Sequence, residues 1–374
     1  MKHARAAFVA TLHSAHAALP AAADATVELR GNAGTLVSST ATATLRGLEL
    51  RGVRRDEGAA AREETVPWDM VRSVEGGAAA GAGADLATML EAGTALWRAR
   101  ARIERGDCEL ARPLLRDQWA RFAKADGPTA ALVAEGMLRC AVSAGDMGAS
   151  VEPWLECLRH RGAKEPSRFA ALAPVLDPET ALLPSLPPFV PSDRRADLLS
   201  VFEAIPSAAD ASAPGAAREV GGRLARLMRR ASGAVPEPAA PPRADAEPAV
   251  KVLALLDGVA SAADARALTR ALDEFDRAYP EPPAFVASWR LAAAACAQAR
   301  HARAVQGDGR IAALERAALE MLAVPASALD QTGLVDAYAL EEAEALVREA
   351  GLRESADRIA ALRGATTDRT KARP

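Results

Sequence analysis

The sequence predicts a mainly α protein that opens with a small all-β domain. Three observations lead there. The 374 residues are 50% hydrophobic, with alanine dominating, yet only 4% aromatic, and a core made largely of alanine favours closely packed helices over strands. Residues 26 to 75 alternate apolar and polar positions, the period of a strand. From Asp85 onward apolar residues recur at three- and four-residue steps, the period of a helix. A chain this long exceeds one compact core and is expected to divide into domains. Its formal net charge of -3 offers no general attraction to nucleic acid or anionic lipid.

The first stretch, MKHARAAFVATLHSAHAALPAAADA, places Lys2 and Arg5 before an apolar run, then Pro20 and the small-x-small sites Ala21-Ala22-Ala23 and Ala23-Asp24-Ala25. That order predicts a signal peptide over residues 1 to 25 and hence export, for instance to the periplasm. His13 and His16 interrupt the run and leave Ala6 to Leu12 short, so a cytoplasmic chain is the alternative. No other segment has the apolar length of a membrane span. Four cysteines, Cys108, Cys140, Cys157 and Cys296, lie far apart without a CxxC pair, so metal-site spacing is absent and buried thiols are expected.

Residues 26 to 75 (TVELRG, GTLVSST, ATATLRGLELRG, ETVPWDMVRSVEG) read as short antiparallel strands separated by Gly-bearing or charged turns, enough for a five-stranded barrel or curled sheet. Val66, Trp68, Met70 or Val71, and Val74 are its expected core. GGAAAGAG, residues 76 to 83, lacks GxxxxGK[ST] and GxGxxG, so residues 76 to 84 read as a flexible linker and Asp85 as the cap of the next helix. Helical stripes follow: Leu86, Met89, Leu90, Leu96, Trp97 and Ile103, then Leu110, Leu114, Leu115, Trp119 and Phe122. A second pair carries Val133, Met137 and Cys140, then Val151, Trp154, Leu155 and Leu158.

Between the helices of each pair stands the same phrase, RARIERGD at 100 to 107 and RCAVSAGD at 139 to 146, 39 residues apart. Gly tolerates the positive φ of a helix end, and Asp caps the helix that follows. This arrangement resembles tetratricopeptide-like hairpin repeats, in which a Gly is followed five residues later by an Ala where the helices approach. Gly106 with Ala111 and Gly351 with Ala356 match that pattern; Gly145 has Ser150 in the place of the Ala, and the interval departs from the usual 34 residues. The resemblance covers residues 85 to 163 and in part 331 to 363. The strand region resembles small SH3-like or Sm-like β-domains in pattern only. The implied fold class is mainly α, helical-hairpin (tetratricopeptide-like) arrays with a small N-terminal all-β domain.

Residues 165 to 193 contain seven prolines among Leu and Phe, which excludes a long helix but suits a strap lying over the first helical block, residues 85 to 231. Residues 232 to 249 are Pro/Ala-rich and read as a linker into a second helical block, 250 to 363; a disordered tail, 364 to 374, closes the chain.

Catalytic patterns are weak. AVSAG at 141 to 145 echoes G-x-S-x-G but lacks the first Gly and follows a helix instead of a strand. His160 and His301 sit in Arg-rich helical ends and read as solvated, as do the carboxylate groups Glu341-Glu342-Glu344 and Glu63-Glu64. Arg98, Arg100 and Arg102 alternate and so point in different directions on a helix, which makes no nucleic-acid stripe. The resemblance places Arg100 and Arg139 at one register position of successive hairpins, on the face that lines the groove in such arrays. With Glu104 and Glu135 they are the candidate partner-binding residues, toward an acidic peptide or protein; ion pairs tying neighbouring hairpins are the structural alternative. No cofactor or metal is expected. The reading is a non-catalytic interaction or scaffold protein. Its alternatives are an enzyme accessory or cryptic hydrolase with a site between the β-domain and the first helical block, and a structural envelope protein.

Overall fold

The computed structural model describes residues 24–31, 33–54, 62–76, 78–80, 85–207, 215–237, 239–330 and 332–371. The expected signal peptide therefore lies outside the described residues except for Asp24 and Ala25. The chain forms two compact units, one up to Thr94 and one from Ala95 onward.

The first unit is built from seven strands: β1 (Ala25–Leu29), β2 (Thr35–Ser38), β3 (Thr40–Ala43), β4 (Leu48–Val53), β5 (Arg62–Val66), β6 (Val71–Glu75) and β7 (Ala78–Ala80). One sheet runs β2-β1-β6, all antiparallel; the other has β5-β4-β3 antiparallel, extended by β7 in parallel on β3. The expected single five-stranded sheet is thus two sheets. Part of the expected linker is β7, whose backbone pairs Ala41 with Ala78; edge pairing of this kind needs no side-chain pattern. The period-2 alternation buries Ala25, Val27, Leu36, Ala41, Ala43, Leu48 and Leu50. Gly52, at φ +67°, sits where the β4–β5 register shifts, a bulge that only glycine enters without strain. Trp68 is fully buried in a short 3-10 turn, and its indole donates to the Thr44 carbonyl at 2.8 Å. Val71, not Met70, completes this core.

Helix α1 (Leu86–Ile103) starts in this unit. As expected, Asp85 accepts from Thr88 N at 2.9 Å, and this bond with Thr88 holds the Asp85 carboxyl below its usual range. Met89, Ala92 and Gly93 face Trp68: a Cβ added at Gly93 meets the Trp68 carbonyl oxygen at 2.4 Å. Arg30 donates to Thr94 Oγ1 at 2.8 Å and to the Val71 carbonyl at 3.0 Å. The residue before the helix, the glycine and the arginine together fix where α1 begins.

The second unit continues with α2 (Cys108–Phe122), α3 (Pro128–Ser143), α4 (Met147–Gly162), α5 (Ser192–Ser207), α6 (Gly215–Ala231), α7 (Pro248–Ser261), α8 (Ala265–Ala278), α9 (Ala284–Ala304), α10 (Arg310–Ala326), α11 (Leu334–Glu349) and α12 (Arg353–Lys371). The repeated phrase ends α1 and α3 in the same way. Gly106 and Gly145 take φ of +84° and +65°, and the next amide reaches back five residues, Asp107 N to Arg102 O and Asp146 N to Ala141 O. Asp146 also caps α4 through Ala149 N at 3.0 Å. Asp107 makes no such bond; the cap expected there is absent. Gly351 repeats the turn before α12, with Leu352 N to Val347 O. Ala111, Ser150 and Ala356, five residues after each glycine, are all buried. Leu110, counted with the apolar stripes, is instead more than half exposed, at 57%.

The expected linker at 232 to 249 does not divide the helical part. Helices α6 and α7 pack on each other across it, and one apolar cluster runs from Leu138 to Ile359. Arginines of α6 hold the segment against the body: Arg223 donates to the Ala240 carbonyl at 2.7 Å and Arg226 to the Glu237 carbonyl. The tail differs as well. With neither proline nor a stopping glycine turn between Arg353 and Lys371, α12 runs on to Lys371. Among the described residues no helix is long and apolar enough to cross a membrane.

Candidate binding surface and cavities

The four residues selected from sequence are not brought together as one open groove. Arg100 of α1 pairs with Glu104, just past the end of that helix, 3.5 Å apart. Arg139 bonds Glu135 within α3 through Nε and Nη2, at 3.0 and 2.7 Å, with both side chains nearly buried. Both partners turn toward the proline-bearing strap. Arg139 Nη1 donates to the Ala173 carbonyl at 3.0 Å and its guanidinium lies 5.2 Å from the centre of the Phe169 ring. Glu135 accepts from Ser167 at 2.7 Å. Phe169, Leu182, Leu183, Leu186, Phe189 and Val190 of the strap are buried. The structure therefore makes Arg139 and Glu135 ties between α3 and the proline-bearing segment.

Three cavities lie in the second unit. The first, about 540 Å³, continues along the strap between Cys108, Arg139, Val142, Leu172 to Val175, Ser185 and Thr332. A second, about 640 Å³, is entered at the Gly145–Asp146 turn and bounded by Ser185, Arg194, Glu341 and Arg363. A third, about 810 Å³, is lined by Val235, Pro236, Ala239, Ala240, Pro241, Pro242 and Arg243 together with residues of α6, α7 and α8. On its lining Arg230 Nε bonds Asp257 Oδ1 at 2.6 Å, with side-chain exposures of 5% and 9%. Sequence reading missed this pair. A signal existed: Arg223, Arg226 and Arg230 recur at steps of three and four, one face of α6.

The other sequence candidates fall into structural places. Ser143 ends α3 on an exposed turn. Of the carboxylates expected to be solvated, Glu341 accepts from Ser192 N, Glu342 pairs with Arg303 at 3.1 Å, and Glu344 is buried between Arg348 and Arg363 at 2.7 and 3.2 Å. The four cysteines are free thiols; Cys140 and Cys296 are buried, Cys108 and Cys157 partly so. Burial, with Cys108 alongside, pushes Cys140 up to about 12. Among the described residues no group of three or more metal-ligating side chains converges.

His301 Nε2 donates to the Ala262 carbonyl oxygen at 2.8 Å. A carbonyl only accepts, so Nε2 carries the hydrogen. His160, expected to be solvated, is 4% exposed. Its Nε2 faces Arg159 Nη2 at 3.2 Å, and since a guanidinium only donates, the ring must accept there and stay neutral. Burial first, then the Arg159 charge, lowers its pKa to about 4, against a smaller upward pull from Asp126. Asp336 is shifted the opposite way. Burial, then the Asp330 carboxylate, raises it to about 6, and its Oδ1 is buried without a partner among the described residues.

The two shifts oppose each other in acid. The folded state holds His160 neutral, so that contribution is complete above about pH 6.5 and is lost as pH falls through about 4. The Asp336 contribution is complete below pH 3.8 and is lost as pH rises through about 6. Each is worth about 2 kcal/mol once solvent screening is allowed for. Relative to wild type, His160→Gln is expected to gain about 2 kcal/mol between pH 7 and pH 4, whereas Asp336→Asn gains about 2 kcal/mol at pH 7 and nothing at pH 3.5. Urea unfolding across this range measures both; parallel curves for wild type and either variant would remove the corresponding assignment.

No protein-family model matches the chain, and neither curated proteins nor solved structures yielded a similar protein.

Proposed function

We propose that the chain is a non-catalytic interaction protein that binds a protein or peptide partner on its helical hairpins, and that it acts after export. The tetratricopeptide-like reading rests on Gly106 and Gly145, whose turns close in the same way 39 residues apart, with Ala111 and Ser150 buried behind them. One observation carries the functional reading. Helix α3 holds a turn of the proline-bearing strap through Arg139, Glu135 and the Phe169 ring, and a cavity of about 540 Å³ continues beside it. A hairpin surface that seats one irregular segment of chain has the apolar floor that a second would use. The partner is taken to be acidic because the hairpins repeat an arginine at 100 and 139. Export rests on Lys2, Arg5 and the small-x-small sites near Ala23.

Ser185 lies between this cavity and the one at the Gly145–Asp146 turn and lines both. Affinity capture from a native extract is expected to recover the same partner with wild type and with Thr269→Trp, on an exposed face of α8, but not with Ser185→Trp. Far-ultraviolet circular dichroism should show all three folded. Identical capture by the three proteins would refute the reading.

A further inference from the structure

The cavity of about 810 Å³ shares no lining residue with the surface just discussed. It is two-sided in chemistry. One wall is apolar and comes from the proline-rich segment and α7: Val235, Pro236, Pro241, Pro242 and Leu255 line it, with the Tyr279 ring at its edge. Val235 is 78% exposed there, a large apolar side chain left facing solvent. The lining is also cationic. Arg223, Arg230, Arg243 and Lys251 contribute to it, with only two carboxylates, Asp257 and Glu274.

Two of those cations are set deep. The side chains of Arg223 and Arg230 are 6% and 5% exposed. Arg223 spends Nε and Nη2 on Glu219 and on the Ala240 carbonyl. Arg230 spends Nε on Asp257, and no other described residue takes its paired amino groups Nη1 and Nη2, which keep contact with the cavity. A guanidinium fork is matched by the two oxygens of a carboxylate. Asp257 holds the Arg230 guanidinium in place, and Glu219 with the Ala240 carbonyl holds that of Arg223, before any ligand arrives.

We propose that this cavity binds a small amphipathic carboxylate, with its head on Arg230 and Arg223 and its apolar body along the proline-rich wall. Lys251 and the exposed Arg243 at the rim raise the local concentration of the anion. The volume falls in the range of about 300 to 1,000 Å³ typical of small-molecule sites. An inorganic anion would satisfy the forks and leave the apolar wall wet, which is why an organic body is assigned.

Calorimetric titration of the full chain with dodecanoate, dodecan-1-ol and inorganic phosphate tests this. Dodecanoate is expected to bind one to one, with the alcohol and phosphate each about tenfold weaker or more. Lys251→Gln with Arg243→Gln should weaken dodecanoate about fivefold and leave the melt unchanged. Ala254→Trp, which fills the cavity, should abolish binding. Arg230→Met with Asp257→Leu, which removes the buried pair together, should weaken it by about tenfold or more with helicity retained. No dodecanoate binding to wild type, an alcohol or phosphate as tight as the acid, or a folded Ala254→Trp or Arg230→Met/Asp257→Leu protein that binds like wild type would each overturn the assignment.

Discussion

Gly93→Val is expected to lower stability by about 4 kcal/mol, while Gly222→Ala, also in a helix, raises it by up to about 1 kcal/mol. The two glycines differ only in what lies beyond the missing Cβ. At Gly222 nothing stands within 4 Å, so a side chain adds helix propensity and meets no obstacle. At Gly93 the new atom would sit 2.4 Å from the Trp68 carbonyl oxygen and 3.0 Å from its carbon. Those are backbone atoms, and no rotamer change moves them; either the first turns of α1 back away or the 3-10 turn at Trp68 does. Retreat also breaks the Arg30 bond to Thr94 and opens a gap over a fully buried tryptophan. Overpacking alone costs about 1 to 3 kcal/mol, and the second and third heavy atoms of valine enlarge it. Urea midpoints with near-ultraviolet circular dichroism measure the effect. A Gly93→Val protein as stable as wild type would mean that α1 does not rest on Trp68.

Asp257→Ala is expected to cost about 3 to 5 kcal/mol, because Arg230 would remain charged in a site 5% exposed with no compensating carboxylate. Arg226 Nε, 3.9 Å from the other oxygen of Asp257, would lose its nearest anion too. The double change Arg230→Met/Asp257→Leu replaces both charges by apolar groups of similar size and is expected to lie within about 1 kcal/mol of wild type. The sign of the coupling is the test: if the double variant is as unstable as Asp257→Ala, the cost arises from lost packing, and the uncompensated-charge account fails.

What the sequence made legible was what is encoded locally. The change of period at Asp85, the capping of α1 by that residue and the repeated Gly-Asp turns all depend on neighbours within a few residues, and the structure has them where the pattern put them. What it hid is non-local. The prolines at 236, 241 and 242 read as a separator because proline breaks helices, yet carbonyls of that segment are reached by Arg223 and Arg226, and α6 meets α7 across it. His160 and Glu344 carry polar labels and are buried because of what packs on them from distant segments. Of the candidate site, the Arg139–Glu135 spacing of four was readable; that both would clasp Ser167 and Ala173 was not. Arg230 and Asp257 are 27 residues apart, and no local rule pairs them.

The clasps themselves have a consequence for how the chain tolerates length changes. Proline-rich segments have few amides to donate and form no ladder, but each residue still presents a carbonyl. Here those carbonyls are received by arginines from helices: Ala173 by Arg139, Pro178 by Arg161, Val190 by Arg195 and Ala240 by Arg223. Each segment is thereby indexed to the helix beneath it, as a strand is indexed to its neighbour. Deleting one residue between Ala173 and Pro178 would carry the Pro178 carbonyl about 3.3 Å past Arg161. These segments lack secondary structure, yet they have a register, and they should resist insertion and deletion as a sheet does.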